Sequence, residues 1–245
     1  MDMTKDGEKM KLTARIFFIA GFYVVRYIIY GIKISGTKNI ERCKSPLVFV
    51  SNHEGAFGPV SLLSTLPVRA YPWVTHEIMS RRECAAYLQK DFTEAALKLG
   101  PRLNAIVSKI ICYACVAIMQ ALRAIPVYRN SRKILGTLQY SLNMLEQGKN
   151  ILIFPEIPST AKNTQLGDLY TGFLHLARMY YSRHSQPLTF VPIAVNKKAR
   201  RVSIGSPVIY NPDNPFWLEK ERLKQEISGE IQDMFSSMEE ARISG

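Results

Sequence analysis

The run Leu47-Val48-Phe49-Val50 ends in Ser51-Asn52-His53, and this junction constrains the chain more than any other stretch. Consecutive large apolar residues, β-branched and aromatic among them, suit a strand buried on both faces. Ser51 and Asn52 are helix-capping types. Gly55, Gly58 and Pro59 make the next few residues a tight turn that a ligand can approach closely. His53 therefore stands at the mouth of a buried strand, just ahead of a helix. An imidazole with an ordinary pKa of roughly 6.5 accepts a proton near neutral pH, which makes His53 a candidate general base. A histidine that only caps the turn would have the same local sequence, so the rest of the chain must decide between the two.

With 245 residues the chain can bury one full core. Its 47% hydrophobic and 21% charged residues are those of a globular protein, which excludes a disordered one. Lysine and arginine number 32 against 20 acidic residues, a formal charge of +12 that favours an anionic partner. Nucleic acid fits poorly: the basic clusters Arg81-Arg82 and Lys197 to Arg201 lack interleaved stacking aromatics. The cysteines suggest a reducing compartment. Cys112 and Cys115 form a C-x-x-C inside an apolar run, with no second ligand pair at zinc spacing, so they read as buried small hydrophobes and no metal site is expected. Ser51 lies near His53, but no G-x-S-x-G elbow accompanies it.

Residues 1–31 read as a polar tail followed by an apolar helix from Leu12 to Tyr30. Arg15 and Arg26 lie near the ends of that helix, and Tyr23, Tyr27 and Tyr30 lie along it. Such a pattern suits a helix lying in a lipid interface or one packed in a core. Its ten-residue apolar stretch, Ile16 to Val25, is too short to span a bilayer, which needs about 20 residues. Residues 32–245 read as one α/β domain. Strands are expected at Ile32–Ser35, Leu47–Val50, Tyr71–Thr75, Ala124–Arg129, Asn150–Phe154, Leu188–Val195 and Arg201–Gly205. Helices are expected at Val60–Thr65, Met79–Lys98, Leu103–Leu122, Arg132–Gln147, from a cap at Asp168 to His184, and over Pro215–Ile243. Alternation of this kind implies a mostly parallel central sheet flanked by helices. In such sheets ligands sit beyond the carboxyl ends of the strands, where His53, Arg129 and Glu156 all fall.

Four segments in order carry a resemblance: Asn52-His53 after its strand, Ile125-Pro126-Val127-Tyr128-Arg129, Phe154-Pro155-Glu156, and Val191-Pro192-Ile193. Together with Thr171 to Ala177 they resemble the glycerolipid (lysophosphatidic acid) acyltransferase family over roughly residues 45–210. The resemblance implies a glycerol-3-phosphate acyltransferase-like fold with an N-terminal membrane-docking helix, on the cytoplasmic face of a membrane with anionic lipids. It implies transfer of a fatty acyl group from acyl-CoA or acyl-carrier protein to a lysophospholipid or related glycerolipid hydroxyl, with no further cofactor. By the same resemblance His53 is the base, Asn52 beside it is among the substrate-binding residues, Arg129 meets the acceptor phosphate, and Glu156 helps bind the acceptor.

Two departures stand out. The family carries an aspartate five residues after its histidine, where this chain has Gly58; Glu54 is the nearest carboxylate, although a neighbour at a helix start normally points elsewhere. The family's Gly-Thr-Arg after the glutamate is here Ile157-Pro158-Ser159, leaving Lys162 as a partial replacement for the arginine. They leave open an alternative: an impaired relative that binds lipid or acyl thioester without turnover.

Overall fold

The computed structural model describes residues 31–44, 46–55, 57–89, 101–129, 131–157 and 166–244. The chain forms two compact units: one runs up to Ala70 and resumes at Tyr140, and the other is Tyr71–Gln139. The apolar segment Leu12 to Tyr30 and Lys162 lie outside the described residues.

In the first unit five strands stand side by side, numbered along the chain: β1 (Lys33–Ser35), β7 (Arg201–Ile204), β6 (Thr189–Asn196), β2 (Leu47–Ser51) and β5 (Asn150–Ile153). A short β8 (Val208–Ile209) pairs with the start of β6. The β2–β5, β2–β6 and β1–β7 pairs are parallel, whereas β6–β7 is antiparallel. Phe49 lies between Val191 and Leu152, and Val48 between Phe190 and Ile151. All six of these side chains are fully buried, which is why β2 reads as an unbroken apolar run and not as an alternating one. Pro192 is tolerated inside β6 for a local reason. Its carbonyl accepts the Gly205 N–H at 2.9 Å, so its nitrogen faces the same edge, where neither β8 nor β7 pairs with it.

Helices cover this sheet. After β2 the chain enters α2 (Phe57–Thr65), which follows a one-turn α1 (Lys38–Glu41) in chain order. Phe57 and Leu62 join Phe49, Leu152, Val191 and Ile193 in one buried cluster. Between β5 and β6 runs α7 (His175–His184), and α8 (Phe216–Ile243) closes the chain against β6. On α8 Leu223, Ile227, Ile231, Phe235 and Met238 are buried, one stripe at helical spacing. Its first turn buries Glu219, whose carboxylate accepts from Arg222, from the Asn211 N–H at 2.7 Å and from Asn214 at 2.8 Å. Burial pushes this carboxyl up, but those hydrogen bonds and the guanidinium outweigh burial and hold it below the usual range.

The second unit contains a parallel pair, β3 (Ala70–Thr75) with β4 (Ile125–Val127), and the helices α3 (His76–Met79), α4 (Arg81–Leu88) and α5 (Pro101–Leu122). The remaining helix, α6 (Ile134–Glu146), carries the chain from this unit back to β5. Cys84, Leu88, Cys112 and Val116 form a buried cluster between α4 and α5, with Cys115 packed against it. Burial and the adjacent Cys112 push the Cys84 thiol up to about 12, the behaviour of inert thiols in hydrocarbon. Among the described residues no helix is long and apolar enough to cross a membrane.

Two expectations are corrected in detail. Asp168 does not cap a helix: it lies four residues ahead of a 3-10 turn at Gly172–Leu174 that leads into α7, and its carbonyl accepts the Ile157 N–H at 2.7 Å. The backbone there serves a strand-like pairing, so the capping geometry never forms. The helix placed from Met79 starts earlier, at His76, and is interrupted at extended Ser80.

Phe49→Ala should cost about 3–5 kcal/mol in urea unfolding, because the surrounding strands cannot collapse onto the cavity. Leu135→Ala, on the exposed face of α6, should stay within about 0.5 kcal/mol of wild type. The Glu219 pKa is depressed in the folded state. Its contribution is therefore present above the unfolded pKa and lost as pH falls through the folded one. Thermal melts of Glu219→Gln should run below wild type at neutral pH and converge with it in acid.

Candidate active site

Strand β2 delivers His53 to the carboxyl end of the sheet, where the residue is exposed. Asn52, immediately before it, is buried, and its amide completes the strand pairing beyond the last backbone partner. Its Nδ2 donates to the Val195 carbonyl at 2.8 Å, and its Oδ1 accepts the Val195 N–H at 2.8 Å. A side chain here takes the place of a peptide group, and the reciprocal pair clamps the end of β2 onto β6. His53 is then held from two further directions. Its N–H donates to Glu156 Oε2 at 2.9 Å, and its ring stands edge-on to buried Phe154 with centroids 5.3 Å apart.

Glu156 reaches this position at the end of β5. Its second oxygen, Oε1, accepts the Gly167 N–H at 3.0 Å. Around it a short antiparallel pairing joins residues 155–157 to 168–170: Tyr170 N–H donates to the Pro155 carbonyl at 2.9 Å, and Glu156 bridges Leu169. One carboxylate thus ties three segments together by charge-assisted hydrogen bonds, which are about twice as strong as neutral ones.

The turn after His53 is made of two successive left-handed residues, Glu54 (φ 44°) and Gly55 (φ 62°). Glycine adopts this conformation freely, whereas glutamate does so at a cost. The half-buried Glu54 carboxyl is raised above its usual range, first by burial and then by the charge of Glu156, with Lys197 and Lys198 acting the other way. Gly58 is required by close approach. A Cβ built there would lie 2.1 Å from the His53 carbonyl oxygen, so no side chain, aspartate included, fits at this position without moving the histidine. The glycine at position 58 is therefore part of how this turn packs.

The second unit carries Arg129, exposed two residues beyond the end of β4. Nearby, His76 packs on the Tyr128 ring with centroids 4.6 Å apart, and Lys133 Nζ lies over the same tyrosine ring, 5.6 Å from its centroid. His76 Nδ1 is 3.0 Å from Glu77 Oε2 but is not aligned for a hydrogen bond, and it is buried. Burial raises the Glu77 carboxyl, but hydrogen bonds from Thr75 and its own backbone, with His76 and Arg129 beside it, hold it below the usual range.

The structure thus joins His53, Asn52, Glu54 and Glu156 in the first unit. Sequence reasoning missed the Asn52 clamp on Val195, the Phe154 edge and the Lys197–Lys198 pair near Glu54. Only the neighbouring strand's register could have revealed them. Among the described residues no cluster of three or more histidine, cysteine or acidic side chains could hold a metal ion.

Because of the 2.1 Å approach, Gly58→Ala should destabilise the protein by about 1–3 kcal/mol in chemical denaturation. Gly136→Ala is the control. Nothing lies within 4 Å of its added Cβ, and removing a glycine from helix α6 should stabilise by roughly 0.5–1 kcal/mol.

An acyltransferase family model matches residues 92–196, a stretch that includes Arg129, Glu156 and β6 and begins beyond His53. The crystal structure of the 1-acyl-sn-glycerophosphate (LPA) acyltransferase PlsC from Thermotoga maritima is similar, with a TM-score of 0.54 at 13% identity. The match covers 93% of this chain and 82% of that one. At such identity the likeness is one of fold. Comparison with curated proteins gave no match. The chain therefore has in common with acyltransferases the segment that the family model matches and, with PlsC, the fold.

Proposed function

We propose that the protein transfers a fatty acyl group from an acyl-CoA or acyl-carrier-protein thioester to the hydroxyl of a lysophospholipid or related glycerolipid, at a membrane surface. The observation that carries this reading is His53, exposed at the carboxyl end of β2 with its backbone held by Glu156, in a chain whose residues 92–196 match an acyltransferase family model.

In the proposed mechanism the His53 imidazole takes the proton of the acceptor hydroxyl as its oxygen attacks the thioester carbonyl. The tetrahedral oxyanion then collapses, expelling the thiolate, which recovers the proton from the imidazolium. Donors for the oxyanion come from backbone N–H groups of the turn after His53, because the His53 N–H itself already bonds Glu156. Asn52 and Glu156 act first as positioning residues. Glu156 keeps a further lone pair on each oxygen for an acceptor hydroxyl. Arg129 offers the bidentate fork suited to an acceptor phosphate, with Lys162 as a second cation. Glu54 is the carboxylate in this reading that could orient the imidazole, since position 58 has no room for one.

The glycine at position 58 also favours a second reading, an impaired relative that binds acyl thioester or lysolipid without turnover. Radiolabelled acyl-CoA incubated with phosphate-bearing and phosphate-free lysolipids separates the two. Turnover should be present in wild type and reduced by about 10²–10⁴-fold in His53→Ala, with an unchanged melting temperature. Full activity in that variant removes His53 as the base, and thioester binding without product in wild type supports the second reading.

A further inference from the structure

Strands β3 and β4 run parallel and stay in register up to Thr75 and Val127, their last pair. Each strand then delivers an aromatic ring. The rings of His76 and Tyr128 meet with centroids 4.6 Å apart, tilted by 34°. One residue further on come Glu77 and Arg129. A carboxylate and a guanidinium thus occupy corresponding positions beyond one strand pair, on backbones that the ring contact joins. This is the carboxyl end, where ligands of parallel sheets sit. Both residues belong to the same unit, Tyr71–Gln139.

Glu77 is tethered from its own strand. The Thr75 hydroxyl donates to Glu77 Oε2, and His76 Nδ1 lies 3.0 Å from the same oxygen. The Glu77 side chain is still 35% exposed, so its carboxylate is anchored without being enclosed. Arg129 is close enough for its charge to act on that carboxylate. Burial raises the Glu77 carboxyl, and Thr75, its own backbone, His76 and Arg129 together outweigh burial. The backbone leading to Arg129 is fixed as well. The Thr137 hydroxyl donates to the Pro126 carbonyl at 2.8 Å, and Lys133 Nζ lies 5.6 Å from the Tyr128 ring centroid.

An exposed arginine is a poor receptor when nothing orders it, because holding its side chain still costs up to about 2 kcal/mol of rotamer freedom. A fixed carboxylate at its flank orders the side chain before a ligand arrives. A guanidinium has five donors, so one edge can face a carboxylate while another stays open to a phosphate. The opposing effect is repulsion between the carboxylate and that phosphate. At an exposed site water and salt screen the repulsion, whereas they do not restore a lost pre-organisation. We infer that Glu77 is a positioning residue for Arg129, its carboxylate turning the guanidinium so that the open edge receives the phosphate of a lysophospholipid acceptor. The inference rests on the reading of Arg129 as the acceptor-phosphate residue, and its test reads binding and needs no turnover.

Calorimetry on the full chain compares 1-decanoyl lysophosphatidate with 1-decanoylglycerol, which lacks the phosphate. Wild type should prefer the phosphate-bearing ligand, and Arg129→Ala should lose the preference. Glu77→Gln, which keeps an acceptor for Thr75, should weaken lysophosphatidate binding by about five- to thirtyfold and move the phosphate-free ligand by less than about twofold. Added to Arg129→Ala, the same substitution should have no further effect beyond about twofold. Thr75→Val frees the carboxylate but keeps its charge, and should weaken the same ligand in the same direction. The melting temperatures of these variants should agree with wild type. Tighter lysophosphatidate binding by Glu77→Gln makes the carboxylate a competitor and overturns the inference. Equal losses on both ligands overturn it too, as does a loss that persists in the Arg129→Ala background. A wild type with no preference for the phosphate overturns the reading of Arg129 and the inference with it, whereas the other three outcomes leave that reading standing.

Discussion

The carboxylate of Glu156 joins what the backbone alone leaves apart. One oxygen accepts the His53 N–H and the other the Gly167 N–H, so the end of β2, the end of β5 and the segment before α7 meet on one side chain. The parallel pairing of β2 with β5 has already ended at Val50 and Ile153, so no ladder bond between these two strands serves the His53 N–H. A charged acceptor answers both needs. It satisfies two donors at once, and its bonds are stronger than those of a neutral amide. The Asn52 amide performs the matching task on the other side, against Val195.

Fixing the main chain of His53 so tightly determines what else the turn can contain. With the N–H taken by Glu156, the chain reverses through left-handed Glu54 and Gly55, and the His53 carbonyl comes to rest on the Cα of Gly58. A carboxylate at position 58 and this turn are mutually exclusive. Glu156 holds the His53 backbone instead, and its charge adds to burial in disfavouring ionisation of Glu54. Lys197 and Lys198 act the other way at Glu54.

Much of this was legible residue by residue. The apolar runs at Leu47–Val50 and Asn150–Phe154 became the buried strands β2 and β5 because such runs have no polar face to offer water. The C-x-x-C pair became packing because its neighbours are hydrocarbon, with Cys84 completing the cluster from another helix. Asp168 misled because aspartate suits both a helix cap and a loop, and only the pairing of residues 155–157 with 168–170 selects the loop. The amide of Asn52, a residue expected among those that bind substrate, pairs with Val195, 143 positions later in the chain.

By itself the amino-acid order determined which segments are buried strands, which residues stand at their carboxyl ends, and that position 58 offers no carboxylate. These are local properties: periodicity, hydrophobicity and the chemistry of single side chains. Only the tertiary structure decided that Glu156 holds the His53 backbone, that Asn52 serves Val195, and that position 58 has no room for a side chain. Each depends on strand register and crossover direction, which arise from long-range packing that no short window of sequence contains.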